Sequence, residues 1–405
     1  MIPLEDAVET VLARCQPLPA RSVDVGEALG LVLAEDVDAT APVPPFANSA
    51  MDGYAVRADD VAGATTERPV RLKVIGTIAA GHAPDDSVGP GEALRIMTGA
   101  LFPDGADAVA IVETTRAEGG NVLVDTPAKA GEHLRSAGED IQAGELVFVA
   151  GTVLGPGHVG VLCSVGREKV RAVPAPVVGV LSTGDELIDG GGALRPGQIR
   201  DSNRRTLLAL LSRDGYRGVD LGIARDDEEE IERRLSDAAS RCDAILTSGG
   251  VSMGDFDFVK AVLDKIGDMT WMQVAIRPAK PFAFGTIGAV PVFGLPGNPV
   301  SSMVSYEVLA RPGLRRMAGF ADSELRRPVV PGVAGERWLG ARDGRTTFVR
   351  VNARFHSDGR LQATAAAGQG SHQLKAMSWS NALAIVEPGA EVGPGDPVGL
   401  LLLTP

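Results

Sequence analysis

VVGVLSTG, residues 177–184, decides the fold: an apolar run that starts after Pro174 and Pro176 and ends in a polar, glycine-containing loop. Such a run reads as a strand buried on both faces, which is the mark of a parallel sheet. Beyond it, helices and strands alternate. RDSNRRTLLALLSRDG, residues 200–215, predicts a helix capped by Asp201 or Ser202, and VDLGIA, residues 219–224, a strand. DDEEEIERRLSDAAS, residues 226–240, predicts a helix capped by Asp226 or Asp227, with glutamates in its first turn. Ile231, Leu235 and Ala239 share one face, and Glu229–Arg233 and Glu230–Arg234 are i,i+4 pairs. CDAILTSGG (242–250) is a strand and FDFVKAVLDKI (256–266) a helix. WMQVAIRP (271–278), PFAFGTI (281–287) and VPVFGLPG (290–297) are strands, and NPVSSMVSYEVLARPGLRRM (298–317) is a last helix. Residues 174–320 are therefore expected to form a mostly parallel, three-layer α/β domain.

Outward from this domain the pattern turns to short strands. Residues 45–136 carry RLKVIGTIA, EALRIM, DAVAIVE and NVLVDT between Gly and Pro breaks, and predict a β-rich domain. Residues 1–44 open with an acidic amphipathic helix, MIPLEDAVETVLARC, unlike a signal peptide, and are expected to pack with 137–173. The β-rich domain would then be an insertion. Residues 321–405, with TTFVRVNARF and ALAIVEPG, predict a small β-barrel or sandwich. The expected fold class is α/β plus β, multidomain, in a chain of 405 residues, too long for one ordinary core.

The net charge is −13 and no basic stripe offsets it, which argues against nucleic acid as a partner. No apolar run approaches 18 residues, so no membrane insertion is expected. Cys15, Cys163 and Cys242 form no CxxC pair, which fits a reducing, cytoplasmic setting. The five histidines, at 82, 133, 158, 356 and 372, are scattered, and no Ser-His-Asp or Cys-His arrangement, GxGxxG or P-loop pattern is present.

In an open parallel sheet, ligands bind beyond the carboxyl ends of the strands. Four loops fall there: Ser182-Thr183-Gly184-Asp185-Glu186, Arg225-Asp226-Asp227, Thr247-Ser248-Gly249-Gly250 running on to Asp255, and Leu295-Pro296-Gly297-Asn298-Pro299. Small residues let backbone N–H groups approach an anion. Asn298 at N-cap and Pro299 at N1 define a helix start. Each loop alone also fits an ordinary βα turn; four on one sheet edge point to a phosphate-bearing small molecule. Glu186, Asp226, Asp255 and Asp257 suggest a hard cation such as Mg²⁺, which bridges phosphates. Arg277 and Lys280 add local positive charge.

Taken together, PPFANSAMDGYAV, RIMTGA, GEDI, STGDEL, GQIRDSN, SGGVSMGDFD, KPFAFG and LPGNPVSS stand in the order found in the molybdopterin molybdenumtransferases, the molybdenum insertases, and the chain resembles that family over essentially its whole length. The same fold forms the C-terminal part of gephyrin. The resemblance implies four subdomains, a homodimer, and a cleft between the α/β domain of one subunit and the β-rich domain of the other. It implies hydrolysis of adenylylated molybdopterin with Mg²⁺ and insertion of molybdenum from molybdate, releasing AMP. Mapped by motif, it makes Asp52, Glu186 and Asp226 metal candidates, and Asp52, Thr98, Asp140, Glu186, Asp226 and Asp257 catalytic candidates. Ser182, Arg277 and Lys280 would hold molybdate or phosphate. Gly184, Ser248, Gly249, Gly250, Pro296, Gly297, Asn298 and Pro299 would shape the pterin and phosphate cradle.

Two positions depart from the family. Gln273 stands where a basic residue is common, and Ala279 where the family has Gly. They motivate a second reading: a gephyrin-like dimeric scaffold that binds a partner peptide with weakened catalysis. A generic nucleotide-binding domain is a third reading, which the Asp52 motif and the added β domains argue against.

Overall fold

Both faces of the apolar strands must be covered, and the computed structural model, which describes residues 1–83, 85–250 and 258–403, shows how. The α/β domain runs β1 (Val177–Thr183), α1 (Asn203–Arg213), β2 (Arg217–Ala224), α2 (Glu228–Arg241), β3 (Ala244–Ser248), α3 (Phe258–Ile266), β4 (Asp268–Gln273), β5 (Pro281–Ile287), β6 (Val290–Leu295) and α4 (Pro299–Ser305). The sheet order is β2-β1-β3-β6-β5-β4. The first four strands are parallel, and β5 and β4 are antiparallel at one edge. The expected domain is thus present with a mixed sheet.

Successive residues of each strand feed opposite layers. Val178, Val180, Leu246 and Phe293 pack with Leu207, Leu211 and Val304. Leu181, Ile245 and Val292 pack instead with Ile231, Leu235, Val259 and Leu263. So α1 and α4 cover one face, and α2 and α3 the other. β1 and β3 are neighbours, yet the helices that follow them lie on opposite faces. That divergence opens a crevice at the carboxyl ends of the two strands.

Asp227 caps α2, its carboxylate accepting the Glu230 amide at 2.8 Å, which leaves Asp226 outside the helix. At α1, Ser202 is the N-cap but makes no side-chain bond there; Asp201 accepts the Arg204 amide at 3.1 Å instead. Of the two α2 pairs, Glu230–Arg234 forms, at 2.6 Å. The last helix continues past α4 as a π-helical segment, Tyr306–Ala310, and then α5, Arg311–Met317. Pro312 has no N–H to donate and its ring crowds the carbonyl one turn back, and the helix widens before it.

The chain divides into two units, Met1–Arg21, Gly30–Val32 and Ala172–Pro405 against Ser22–Leu29 and Leu33–Arg171. The first contains the α/β domain, the helix Leu4–Arg14 and the C-terminal β structure. That helix, which the sequence groups with 137–173, packs its Ala7, Val8 and Val11 into the α/β core. The C-terminal strands Val329–Ala334, Thr346–Phe355, Leu361–Ala365, Ala382–Val386 and Pro397–Leu402 close into a five-stranded barrel, because Thr346–Phe355 pairs with Ala382–Val386. Ala334, Ala353, Ala363, Ala382 and Ala384 fill its interior, and such small side chains suit so narrow a barrel.

The second unit is built on a six-stranded sheet. Its spatial order is Ala108–Ile111, Gly53–Val56, Glu92–Ile96, Val70–Ile78, Asn121–Val124 and Thr115–Glu118. Tyr54, Val56 and Leu72 enter one core, and Ala55, Ile78 and Leu94 another.

Candidate functional site

Register sets the floor of the crevice. Ser182 of β1 lies opposite Ser248 of β3, and Ser248 opposite Leu295 of β6, so three strand ends stand level. Beyond them the loops touch. The Gly249 amide donates to the Leu295 carbonyl at 3.1 Å. Gly249 has φ +98°, and a Cβ there would lie 3.0 Å from the Thr183 carbonyl oxygen. Gly250, also left-handed at φ +70°, continues the turn. Gly297 approaches Gly249 from the other side, with 3.9 Å between a built Cβ and the Gly249 Cα. Asn203 ties the loops together: its amide nitrogen donates to Ser248 Oγ at 2.8 Å and to the Gly297 carbonyl at 2.7 Å. Asn203 Oδ1 and Thr247 Oγ1 are buried and have no partner among the described residues.

Ser182 is fully buried and its hydroxyl donates to Asp201 Oδ1 at 3.0 Å, so it supports the crevice from beneath. Pro296 is buried, Gly297 and Asn298 are exposed, and Pro299 starts α4. Gly184, at φ +144°, lies under the exposed Glu186 carboxylate in a backbone conformation that side chains rarely adopt. Asp185 rather than Glu186 reaches Asp226. The Asp185 amide donates to Asp226 Oδ2 at 3.3 Å and the Asp226 amide to Asp185 Oδ1 at 3.3 Å. The pair borders a depression of about 590 Å³ that Arg195, Gln198 and Arg225 also line. Asp255 and Asp257 lie outside the described residues.

Arg277 and Lys280 do not join Ser182. They line a separate cleft of about 600 Å³ with Ser301, Gln369 and Ser371, where the barrel meets the α/β domain. Arg277 belongs to the short strand Ile276–Arg277, which adds to the barrel strand Thr346–Phe355. Ala279 is left-handed at φ +80°, a conformation Gly adopts without strain, which accounts for the family's preference there. Next to the cleft-lining Val349, Arg350 is fully buried and makes no ion pair among the described residues. One guanidinium nitrogen donates to the Gly368 and Gly370 carbonyls at 2.9 and 3.2 Å, and Nε and Nη1 have no partner among the described residues. The cleft and the crevice share the start of α4, since the Val300 amide donates to the Ser371 carbonyl at 3.1 Å.

Asp52, Thr98 and Asp140 belong to the β-rich unit. Gly53 pairs with Ile96, so Asp52 precedes one strand as Thr98 follows its neighbour. The Thr98 amide and hydroxyl both donate to Asp52 Oδ1 at 2.7 Å. The amide bond first, and the hydroxyl second, hold the Asp52 carboxyl below its usual range. A side chain at Gly53 would strike the Ala110 carbonyl, so only glycine lets the strand start there. The Asp140 amide donates to Val43 O at 3.0 Å, and its side chain is exposed.

Sequence reasoning missed Asp185 as the neighbour of Asp226, and missed Asn203, Arg350 and Ser371. The first two sit inside the motifs STGDEL and GQIRDSN. Arg350 and Ser371 gave no local signal, because their importance comes from burial and from barrel closure.

Three families cover the chain with little overlap or gap. One described as "MoeA N-terminal region (domain I and II)" matches residues 2–166, "Probable molybdopterin binding domain" matches 179–316, and "MoeA C-terminal region (domain IV)" matches 335–403. A molybdopterin molybdenumtransferase of Haemophilus influenzae is 37% identical over 390 residues, 96% of this chain and 95% of the relative. The chain belongs to the molybdopterin molybdenumtransferase family. Another relative of that name, from Bacillus subtilis, is 34% identical over 397 residues, covering 97% of this chain and 91% of its own length. A solved molybdopterin biosynthesis MoeA protein from Pyrococcus horikosii superposes with TM-score 0.79 at 32% identity, covering 100% of both chains. As in that family, this molybdenumtransferase homologue keeps the α/β domain between β-rich N-terminal and barrel C-terminal parts.

Proposed function

We propose that this chain is a molybdopterin molybdenumtransferase that cleaves adenylylated molybdopterin and inserts molybdate-derived molybdenum into its dithiolene, releasing AMP. The observation that carries the reading is the crevice at the β1/β3 divergence, with Asp185 against Asp226 at its edge, in a chain whose relatives carry that name along their whole length. The scaffold reading is not favoured, since the relatives are named as transferases.

Among the described residues no group of three His, Cys, Asp or Glu side chains is arranged to hold a metal. That suits Mg²⁺ rather than excluding it, because Mg²⁺ commonly takes one or two carboxylates and completes its shell with water and phosphate oxygens. Asp185 and Asp226 would hold it, and bound there it would neutralise charge on the cleaved phosphate. The Gly249 amide is taken by the Leu295 carbonyl, so the Gly250 backbone amide would be the one to donate to a phosphate oxygen. Asn203 Oδ1 and Thr247 Oγ1 would accept from ligand N–H groups. Arg277 and Lys280 supply cations for molybdate at the cleft, and Arg350 adds positive potential from beside the cleft-lining Val349. Gln273 ends β4 and its carbonyl accepts the Ile2 amide at 2.8 Å, a bond that any side chain there allows.

The proposal includes a homodimer, with Asp52, Thr98 and Asp140 serving the reaction. Full-length protein incubated with Mg²⁺, molybdate and adenylylated molybdopterin should release AMP. Asp226→Asn should slow release by about a hundredfold or more, as expected when a group that stabilises developing phosphate charge is lost. Folded wild-type protein that releases no AMP would overturn the reading.

A further inference from the structure

Arg204 is fully buried in the first turn of α1, where the proposed reaction does not use it. Its donors go to three aspartates on three segments. Nε donates to Asp201 Oδ2 at 2.8 Å, Nη1 to both oxygens of Asp220, and Nη2 to Asp189 Oδ2 at 2.6 Å. Asp201, 1% exposed at its side chain, also accepts Ser182 Oγ, so the end of β1 joins the same cluster. Asp189 follows the short strand Leu187–Ile188, which pairs with Ile199–Arg200. Asp220 lies within β2, and its Oδ1 also accepts the Gly222 amide at 2.9 Å.

The consequence is geometric. Asp185 lies between Ser182, tied to the guanidinium through Asp201, and Asp189, which bonds to it directly. Asp226 lies six residues after Asp220, which is tied to it as well. The arms that carry Asp185 and Asp226, whose carboxylates accept each other's backbone amides, therefore hang from one rigid planar fork. We propose that Arg204 is a positioning residue that sets the spacing of Asp185 and Asp226 and thereby the affinity of the site for a divalent cation. This rests on the reading of that pair as the metal-holding group. A planar guanidinium distributes its donors at fixed angles, which a lysine ammonium does not. Arg204 also holds Asp189 below the usual carboxylate range; at Asp220 burial raises the carboxyl, but Arg204, the Gly222 amide and Arg205 together outweigh it.

Full-length protein titrated with Mn²⁺ alone, followed by the electron paramagnetic resonance signal of the free ion, tests this. Arg204→Lys keeps a cation beside buried Asp201 and loses the fork. Asp189→Asn frees only the arm after β1, at a side chain 49% exposed, and so leaves the fold intact. Both variants should bind Mn²⁺ about tenfold to a hundredfold more weakly, the size seen when an outer partner of a metal ligand is removed. AMP release should need correspondingly more Mg²⁺ and recover at saturating Mg²⁺. Arg205→Ala removes an exposed cation bonded to the same Asp189 and Asp220 and should change affinity by less than about twofold. Wild-type Mn²⁺ affinity in a folded Asp189→Asn protein, or a lower melting temperature with no change in affinity, overturns the inference while the metal pair stands. Absence of Mn²⁺ binding by the wild type overturns the metal pair, and this inference with it.

Discussion

Asp52 shows how the carboxyl of a single exposed residue can be held low chiefly by hydrogen bonds, with the nearby Arg95 cation a lesser contributor. Two donors from one residue, the amide and hydroxyl of Thr98, converge on Oδ1. The folded-state carboxyl is held below its unfolded value, so the interaction is present above the ordinary aspartate range and lost as pH falls through the depressed value. Thr98→Val removes the hydroxyl and keeps the amide. The Asp52 titration midpoint should then rise but stay below that of an ordinary aspartate, as read from carboxyl carbon shifts in selectively labelled protein. An unchanged midpoint would show that the hydroxyl does not bond to the carboxylate. The residue type alone could not show this, because NSAMDGY is equally a plain turn, and the strand register brings Thr98 alongside.

Among the elements, the helix Leu4–Arg14 is the clearest case of sequence pattern completed by packing. Its apolar stripe was legible as a helix face, but what it covers was not. Gly313 of α5 provides the contact. A Cβ there would lie 2.8 Å from Val11 Cγ1, 2.9 Å from Cys15 Sγ and 3.1 Å from Phe293 Cζ. Gly313→Ala gains about 1 kcal/mol of helix propensity. Crowding of this kind costs about 1–3 kcal/mol, so a net loss of up to about 2 kcal/mol is expected in denaturant unfolding. Adding Val11→Ala should recover part of that loss; purely additive effects would mean that the two helices do not meet at these atoms.

On the scale of the whole molecule, the α/β domain and the barrel are joined by a buried charge cluster. Asp214 accepts from Arg213 at 3.1 Å, Arg311 at 3.1 Å, Arg327 at 3.2 Å and the Tyr306 hydroxyl at 2.8 Å. Glu307 accepts from Arg213 and Arg327, and Arg213 also donates to the carbonyl of Leu403 at the end of the barrel. Burial would raise the Asp214 carboxyl, but Arg213 and Arg311 outweigh it and hold it below its usual range. Asp214→Asn leaves buried cations short of a counter-charge and should cost about 3–5 kcal/mol at neutral pH. Because the folded pKa is depressed, the wild-type advantage should be full above the ordinary aspartate value and shrink as pH falls below about 4. Calorimetric melting of both proteins from pH 7 down to 3 checks this; a gap that stays constant would place the effect in packing rather than charge.

Sequence by itself determined the kinds of element and the chemistry of the loops. The two-faced apolar runs, the cap at Asp227 and the small residues after each strand are local properties, set by periodicity and turn chemistry over a few residues. The ordered motifs carried the family as well, since their order survives without knowing where each lies in space. Tertiary structure alone decided that β5 runs against the other strands of its sheet, that the C-terminal strands close into a barrel, and that Asp185 and Asp226 exchange amide-to-carboxylate hydrogen bonds. It also separated Ser182 from Arg277 and Lys280, and buried Arg204 and Arg350. Those outcomes depend on which strands pair and which way a side chain leaves a loop. Both are set by contacts between residues far apart in the chain, where no local pattern carries the information.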